Sequence, residues 1–314
     1  MSHLFITQNN LPIHLSGVGS EVEIYHFLQT RLRNEIPQRK RRMSAAAETR
    51  NWLELPPDVT ASILSRLGAV EIFRSAQNVC SQWRNICKDP SMWRSVDMHN
   101  LGDLHQMDDV LEKVCVLAVD RSCGHLLDIN IEYFGTDELL YYISERSVHL
   151  KRLRLYACFY VSDEGLSKSA LKLPFLEELE IFIGPISKHA VETIGRSCPL
   201  LKSFKYNLRR CKGYVCDDEA LAISQTMPEL RHLQLLGNGL TNEGLQAILD
   251  GCPHLEYLDL RQCFSVRLVG NLEKRCVERI KNLRHPSDPT HDYVFVAEDL
   301  DTWYNPSDCD DYDE

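Results

Sequence analysis

Twelve cysteines and twelve histidines are the side chains of this 314-residue sequence that could act as nucleophiles, metal ligands or general bases. No Cys-x-x-Cys pair occurs, although such pairs form the common structural zinc sites. The motifs of phosphate-binding loops, dinucleotide folds, serine hydrolases and zinc proteases do not occur either. A reactive cysteine needs an exposed, electropositive setting, whereas a free cysteine is usually buried as a small apolar residue. We therefore expect no catalytic residue, no cofactor and no metal site.

The composition is that of an ordinary globular protein. Apolar residues make up 44% of the chain and charged residues 25%, which are typical values. No run of about 18 apolar residues is present to cross a membrane, and the first residues lack the pattern of a secretory signal. We therefore expect the protein in the nucleus, the cytoplasm or both.

The net charge of −10 is confined to one end of the chain. Residues 286–314 contain ten acidic residues and no Lys or Arg, so the remaining residues sum to zero. A neutral body offers no electrostatic basis for nucleic-acid binding. The acidic end itself predicts a disordered tail, with docking across the folded body or a cation site as alternatives. The cation site is disfavoured because the Gly and distal Glu of a calcium loop are missing.

Residues Asn51 to Trp93 form the first organised stretch. Pro57 can occupy the first turn of a helix, and Val59, Ile63 and Leu67 then form one apolar stripe. Gly68 is expected to end that helix, and two more short helices should follow. A unit of about forty residues buries little surface alone. The stripe is therefore either the core of a three-helix bundle or a surface for a partner, and spacing alone does not separate the two.

A repeat governs the chain after this stretch. The pattern Leu-x-x-Leu-x-Leu recurs at intervals of 24 to 33 residues, starting at Trp93, Leu126, Leu150, Leu176, Leu201, Leu230, Leu255 and Ile280. This period is typical of leucine-rich repeats. Each copy predicts a strand, a turn and a helix, and stacked copies form a solenoid with a parallel sheet on its concave side.

Other positions keep the same period. Cys158, Asn238 and Cys263 stand eight residues after the first apolar position of their copies, where such repeats use Asn or Cys to hydrogen-bond the turn backbone. Ser162 and Thr241 are expected to cap helices. The longer first interval has a helical pattern from Asp108 to Asp120, with Met107 just before it. We expect this helix to join the first stretch rigidly to the repeats.

The order of residues from Leu55-Pro56-Pro57-Asp58 to Trp93, followed by the repeats, resembles the plant F-box/LRR-repeat proteins over residues 51 to about 285. In that family the F-box binds a Skp-like adaptor, and through it a cullin and a RING protein, while the repeats select a protein substrate for ubiquitination. The resemblance implies an α/β protein with an N-terminal three-helix F-box and a curved leucine-rich-repeat solenoid of strand–turn–helix units.

The expected domains are an irregular extension (1–50), the F-box (51–95), the repeats (96–285) and an acidic disordered tail (286–314). Residues 21–32 of the extension could form a short helix. The basic run Arg39-Lys40-Arg41-Arg42 is either a nuclear-import signal or a solvated linker.

The resemblance assigns residues to two surfaces. The candidates for adaptor contact or F-box core are Leu55, Pro56, Val59, Ile63, Leu64, Leu67, Val79 and Trp83. Strand residues between the buried positions should face the concave side, and those proposed to bind substrate are Arg152, Arg154, Tyr156, Glu180, Phe182, Lys205, Gln234, Tyr257 and Arg261. We favour binding for the three aromatics. For Arg152 and Glu178, pairing between neighbouring strands is an equal alternative.

The favoured function is the substrate-recognition subunit of an SCF (Skp–cullin–F-box) ubiquitin ligase. The alternative is an F-box/LRR scaffold that holds partners without promoting their degradation. A third hypothesis, an enzyme in its own right, would need a cysteine able to form a thioester with ubiquitin.

Overall fold

The computed structural model describes residues 52–99, 108–184, 186–208 and 215–293. The predictions for residues 21–32, Met107 and the basic run at 39–42 lie outside these ranges. In the described ranges the α-helices are α1 (Pro57–Leu64), α2 (Gly68–Arg74), α3 (Ser81–Ile86), α4 (Asp108–Arg121), α5 (Asp137–Arg146), α6 (Asp163–Ala170), α7 (Lys188–Ser197), α8 (Asp218–Thr226), α9 (Asn242–Gly251) and α10 (Gly270–Arg279). The strands are β1 (Ser95–Met98), β2 (Asp128–Glu132), β3 (Arg152–Tyr156), β4 (Glu178–Phe182), β5 (Ser203–Asn207), β6 (His232–Gln234), β7 (Tyr257–Asp259) and β8 (Asn282–Arg284).

The first stretch folds as three short helices, as predicted. Pro57 occupies the first turn of α1. Gly68 has a left-handed backbone with φ of 73°, but it opens α2 instead of ending α1, which stops at Leu64. Phe73 and Trp93 are buried side by side, with ring centroids 5.1 Å apart. This small core lies directly before β1, so the first stretch and the repeats are continuous.

The repeats form one open sheet of eight parallel strands in sequence order. The strand register aligns Asp128, Arg152 and Glu178 in one row, and Asn130, Arg154 and Glu180 in another, as predicted. The apolar repeat positions point to the helices and are buried, from Val96 in β1 to Leu258 in β7. The opposite, helix-free side of the sheet is called the concave face below.

Five strands, β2, β3, β4, β6 and β7, end in a left-handed turn that contacts the next repeat. Tyr133, Ala157, Ile183, Gly237 and Gln262 all have φ between 49° and 70° and stand seven residues after the start of their copies. Their backbone N–H groups donate to carbonyls of the following repeat, as Ala157 does to Phe182 at 2.8 Å. Of these five residues, only Gly237 adopts the left-handed conformation without steric cost. At the other four, the hydrogen bonds to the next repeat hold the backbone in it.

The next position confirms the prediction for Asn and Cys. The Asn238 side chain donates to the Tyr206 carbonyl at 2.6 Å. The Cys263 thiol donates to the Leu235 carbonyl at 2.8 Å. Each bond satisfies a buried carbonyl where the previous repeat leaves its strand, because backbone groups at a turn need a partner once buried.

A ladder of aspartates links the helix starts. The carboxylate of Asp217 accepts hydrogen bonds from the backbone N–H and the hydroxyl of Thr241, the cap of α9, at 2.8 and 2.5 Å. Asp137 makes the same bonds to Ser162, and Asp163 accepts from the backbone N–H of Ser187. The predicted caps Ser162 and Thr241 are confirmed, and each is held in turn by the preceding repeat.

Candidate functional site

The F-box presents an apolar surface that its own fold leaves uncovered. Val59, Ile63 and Leu67 are 40%, 37% and 42% exposed, and Val79 is 62% exposed. Val59 and Ile63 are four residues apart on α1, so they lie on one face of that helix. Large apolar side chains grouped in this way on a small unit are typical of a protein-binding surface.

The other four candidates divide between surface and core. Pro56 is exposed, and Leu55 and Trp83 are half-buried. Leu64 is fully buried, which favours the F-box core, the second of the two roles predicted for it. Cys80 caps the start of α3, where its sulfur accepts from the Trp83 backbone N–H at 3.4 Å.

The F-box core is tied to the repeats through Arg121 at the end of α4. The Arg121 guanidinium lies 4.3 Å from the centre of the Phe73 ring and 5.4 Å from that of Trp93. It also donates to the Cys87 carbonyl at 3.3 Å. Helix α4 packs against α2 and β1 on one side and against α5 on the other. The predicted joining helix is therefore present, with an arginine at the junction.

The charged residues of the concave face are largely paired with one another. The Asp128 carboxylate accepts from Arg152 at 3.1 Å and from Arg154 at 2.8 Å. The Glu180 carboxylate binds Lys205 at 2.9 Å. These contacts favour the pairing alternative, although the arginines and the lysine keep a third or more of their side-chain surface exposed.

Several predicted substrate-binding residues are covered. Phe182 is 4% exposed and Arg261 is 3% exposed, so the expectation that both present open side chains to a partner is wrong. Gln234 and Glu180 are also buried. Tyr156 and Tyr257 remain half-buried, and their neighbours include Phe182 and His232, with ring centroids 6.3 and 5.9 Å away.

The cover is the start of the acidic tail. Residues 286–293, here called the strap, return across the concave face, so the prediction of disorder is wrong for this part. The remaining residues, 294–314, lie outside the described ranges. The strap begins with the Pro286 carbonyl accepting from the Gln262 backbone at 2.9 Å. It ends with the Tyr293 hydroxyl accepting from Asn207 at 2.8 Å.

Two strap residues make the main side-chain contacts. The Tyr293 ring meets the Phe182 ring edge-on, with centroids 5.7 Å apart. The Asp292 carboxylate binds Arg261 and, at 3.4 Å, Arg284. Sequence reasoning missed Asp292, Tyr293 and Asn207 as a group. Asn207 and Tyr293 are 86 residues apart, and no periodic pattern links them.

Electrostatics agree with this packing. Burial, with the Glu180 charge in addition, raises the pKa of Tyr293 well above its usual range. The pKa of Tyr156 is raised by the same two causes. Burial opposes ionisation of Asp292, but the bond to Arg261, a backbone hydrogen bond and the charges of Arg261 and Arg284 together outweigh it and lower the Asp292 pKa. Tyr293 is therefore held as a neutral phenol and the adjacent Asp292 as a charged carboxylate.

The cysteines of the described ranges are free thiols, and most are buried. Burial raises the pKa of Cys87 and Cys252 to about 11 and that of Cys198 and Cys263 to about 12. Across the same ranges, no group of three or more His, Cys, Asp and Glu side chains is placed to bind a metal ion. No helix of the described part is long and apolar enough to cross a membrane.

Comparison with known proteins gives the family. An F-box-like model matches residues 52–99, and a Leucine Rich repeat model matches residues 227–249. The F-box protein SKIP19 of Arabidopsis thaliana is 53% identical over 263 residues, covering 84% of this chain and 86% of that protein. The chain belongs to the plant F-box/LRR-repeat family.

Other similarities are partial. Putative F-box/LRR-repeat protein 23 of Arabidopsis thaliana is 55% identical over 244 residues, covering 76% of this chain but 54% of that protein. Among solved structures, a chain from the crystal structure of a Rad7 and Elc1 complex in yeast matches with 18% identity and a TM-score of 0.35. That match covers 68% of this chain and 63% of the other.

Proposed function

We propose that this F-box/LRR protein is the non-catalytic substrate-recognition subunit of an SCF-type ubiquitin ligase. The F-box binds a Skp-like adaptor, which connects it to a cullin and a RING protein. The repeats bind the protein to be ubiquitinated. The observation that carries the proposal is the exposed apolar stripe of Val59, Ile63 and Leu67, on an F-box that is joined to a repeat surface in one folded unit.

The stripe is suited to a helical partner. Partial exposure of several large apolar side chains on a helix and the adjoining turn favours a complementary groove or helix, and burying them is the driving force for association. Residues of this kind at the centre of an interface carry most of its binding energy. The adjacent Leu55 and Pro56 extend the same end of the F-box.

The test is a binding assay between the full chain and a purified Skp-like adaptor. Ile63→Asp places an unpaired charge in the interface and should weaken binding at least about 100-fold, since loss of a hot-spot residue costs about 2 kcal/mol or more and the buried charge adds to that cost. The double variant Leu55→Ala/Pro56→Ala should weaken it less. Val277→Asp is the matched control, because Val277 is 63% exposed on α10, far along the chain from the F-box.

Failure of the unaltered chain to bind any Skp-like adaptor would overturn the proposal, as would equal losses from Ile63→Asp and Val277→Asp. The scaffold alternative also predicts adaptor binding. Reconstituting the ligase with a bound partner separates the two, because only a substrate receptor leads to ubiquitin transfer onto that partner.

A further inference from the structure

The concave face contains a preformed seat for two adjacent side chains. One half is aromatic: Phe182 lies beneath the Tyr293 ring, and the buried amide of Asn207 donates to its hydroxyl. The other half is cationic: Arg261 binds the Asp292 carboxylate. Asp292 and Tyr293 are consecutive, so the seat accepts an acidic residue followed by a tyrosine.

The seat is rigid because its members are fixed by the repeats. The Arg261 side chain is 4% exposed, and Asp259, fully buried, holds its Nε and Nη2 atoms at distances of 2.7 to 3.1 Å. The remaining nitrogen, Nη1, is directed at the strap. The Asn207 side chain is fixed as well, because its amide oxygen Oδ1 accepts from the Leu236 backbone N–H at 3.1 Å. Pre-organised donors of this kind favour binding because little order is lost when a ligand arrives.

The occupant is held less firmly than the seat. Asp292 keeps 46% of its side chain exposed, and Arg284, its second partner, is about one-third exposed. Tyr293 is half-buried. In the described part of the chain, the strap beyond His291 contacts the repeats through the side chains of Asp292 and Tyr293 and does not pair with a strand. A segment held in this way can be exchanged for an equivalent one.

We propose that this seat is the point at which the repeats recognise a protein partner, that the partner offers an exposed Asp-Tyr pair, and that the chain's own Asp292-Tyr293 occupies the seat until it is displaced. The inference rests on the proposed function in taking the concave face as the substrate surface. It adds the chemical class of the ligand, a peptide segment with an unmodified tyrosine directly after an acidic residue.

The chemistry of the seat also excludes a related ligand. The bound phenol oxygen lies 2.8 Å from the fully buried Asn207 amide, so a phosphate attached to that oxygen would have to be buried as well. Burial, with the Glu180 charge in addition, already raises the pKa of this phenol. A phosphotyrosine would bring about two negative charges to the same place. Phosphorylation of the partner's tyrosine therefore prevents binding.

Peptide binding to the purified full chain, with no adaptor present, tests the proposal. The probe is a fluorescent peptide, Gly-Ser-Gly-Ser-Gly-Gly-Asp-Tyr with an amidated C-terminus. Its first six residues are a flexible linker, so that specific binding comes from the Asp-Tyr pair. Asp292→Ala/Tyr293→Ala vacates the seat and should bind the probe at least about tenfold more tightly than the unaltered chain, whose tethered strap competes at high effective concentration. Replacing the probe's tyrosine by phenylalanine should weaken binding about 2- to 10-fold, the value of one hydrogen bond, and phosphorylation should abolish it.

Tyr160→Ala is the matched control, since Tyr160 is an exposed tyrosine outside the seat, and it should leave probe binding as in the unaltered chain. If the double variant does not fold, Tyr293→Phe replaces it, because it removes only one hydroxyl. This variant should bind the probe several-fold more tightly than the unaltered chain. The proposal is overturned if the double variant and the unaltered chain bind the probe with equal affinity, and the strap is then a structural cap. Tighter binding of the phosphorylated probe overturns it as well. Ile63→Asp should bind the probe normally, so a failed adaptor assay and a failed seat are distinguishable.

Discussion

At the scale of single residues, Asp259 and Arg261 form a charged pair inside the solenoid. Asp259 is fully buried and Arg261 nearly so, and their bidentate contact is 2.7 Å at its shortest. Each buried charge is stabilised by the opposite charge of its partner, which compensates for the loss of hydration. Hydrogen bonding to Asp259 accordingly raises the Arg261 pKa still further.

Removing one partner should therefore be costly. We expect Asp259→Ala to lower the free energy of unfolding by about 3 to 5 kcal/mol, because it leaves a buried guanidinium short of its counter-charge. Urea unfolding followed by circular dichroism measures the change. Glu177→Ala is the control: Glu177 binds Lys151 at 2.8 Å in a half-exposed pair, which should contribute less than about 1 kcal/mol. Similar losses in both variants would show that the buried pair has no special role.

The buried thiols predict a dependence on alkaline pH. Burial raises the Cys263 pKa from 9.0 to about 12, so the folded chain retains this proton at pH values where the unfolded chain has lost it. The associated stability is complete below pH 9 and declines as the pH rises from there towards 12. Between pH 8 and pH 10.5 the unaltered chain should lose about 1 to 2 kcal/mol more than Cys263→Ala does. Parallel pH profiles for the two proteins would contradict this.

At the scale of elements, the aspartate ladder makes each helix start depend on the repeat before it. Asp217→Ala removes the acceptor for two donors of Thr241, so it should cost about 1 to 3 kcal/mol. Asp218 is next in sequence and sits in an exposed pair with Lys188 at 3.4 Å, so Asp218→Ala should cost less than about 1 kcal/mol. Thermal unfolding of both variants gives the comparison. The ladder would have no energetic role if Asp218→Ala were the more damaging change.

The ladder also explains glycines that the sequence left without a role. A Cβ at Gly244 would lie 2.1 Å from Asp217 Oδ1, and one at Gly165 would lie 1.9 Å from Asp137 Oδ1. Both glycines stand in the third position after a cap, where the preceding repeat's carboxylate approaches the helix. A side chain there would displace the aspartate from its donors.

The elements themselves were predictable because their signals are local. The Leu-x-x-Leu-x-Leu pattern placed the strands and their register, and Ser162 and Thr241 marked two helix starts from their own residue types. The left-handed turns at Tyr133, Ala157 and Ile183 were not predictable, because those residue types disfavour positive φ. They are imposed by hydrogen bonds to the next repeat, which single-repeat reasoning does not contain.

At the scale of the whole molecule, the apolar stripe of the F-box was anticipated, whereas docking of the tail across the body was only an alternative to disorder and its contacts were not predicted. Val59, Ile63 and Leu67 share helical spacing, so the sequence predicted that they lie on one surface. It did not predict whether that surface is buried or exposed. The seat for Asp292 and Tyr293 is formed by residues from β4, β5 and the turn after β7, and the strap occupies it. Contacts of such long range leave no periodic trace, so the sequence predicted an open face at Phe182 where the fold has a covered one.

The junction between F-box and repeats depends on Arg121, because Trp93 belongs to both parts and the guanidinium lies over its ring and that of Phe73. Arg121→Ala should weaken the F-box by about 2 kcal/mol through loss of the cation–π contacts and of the bond to the Cys87 carbonyl. Hydrogen exchange should then show faster exchange in α1–α3 and unchanged exchange in β5–β8. Arg196→Ala is the control, since Arg196 pairs with Glu192 of its own helix at 2.9 Å. A uniform change along the chain would contradict a local junction, whereas a change confined to α1–α3 would mean that Arg121 couples the F-box to the repeats.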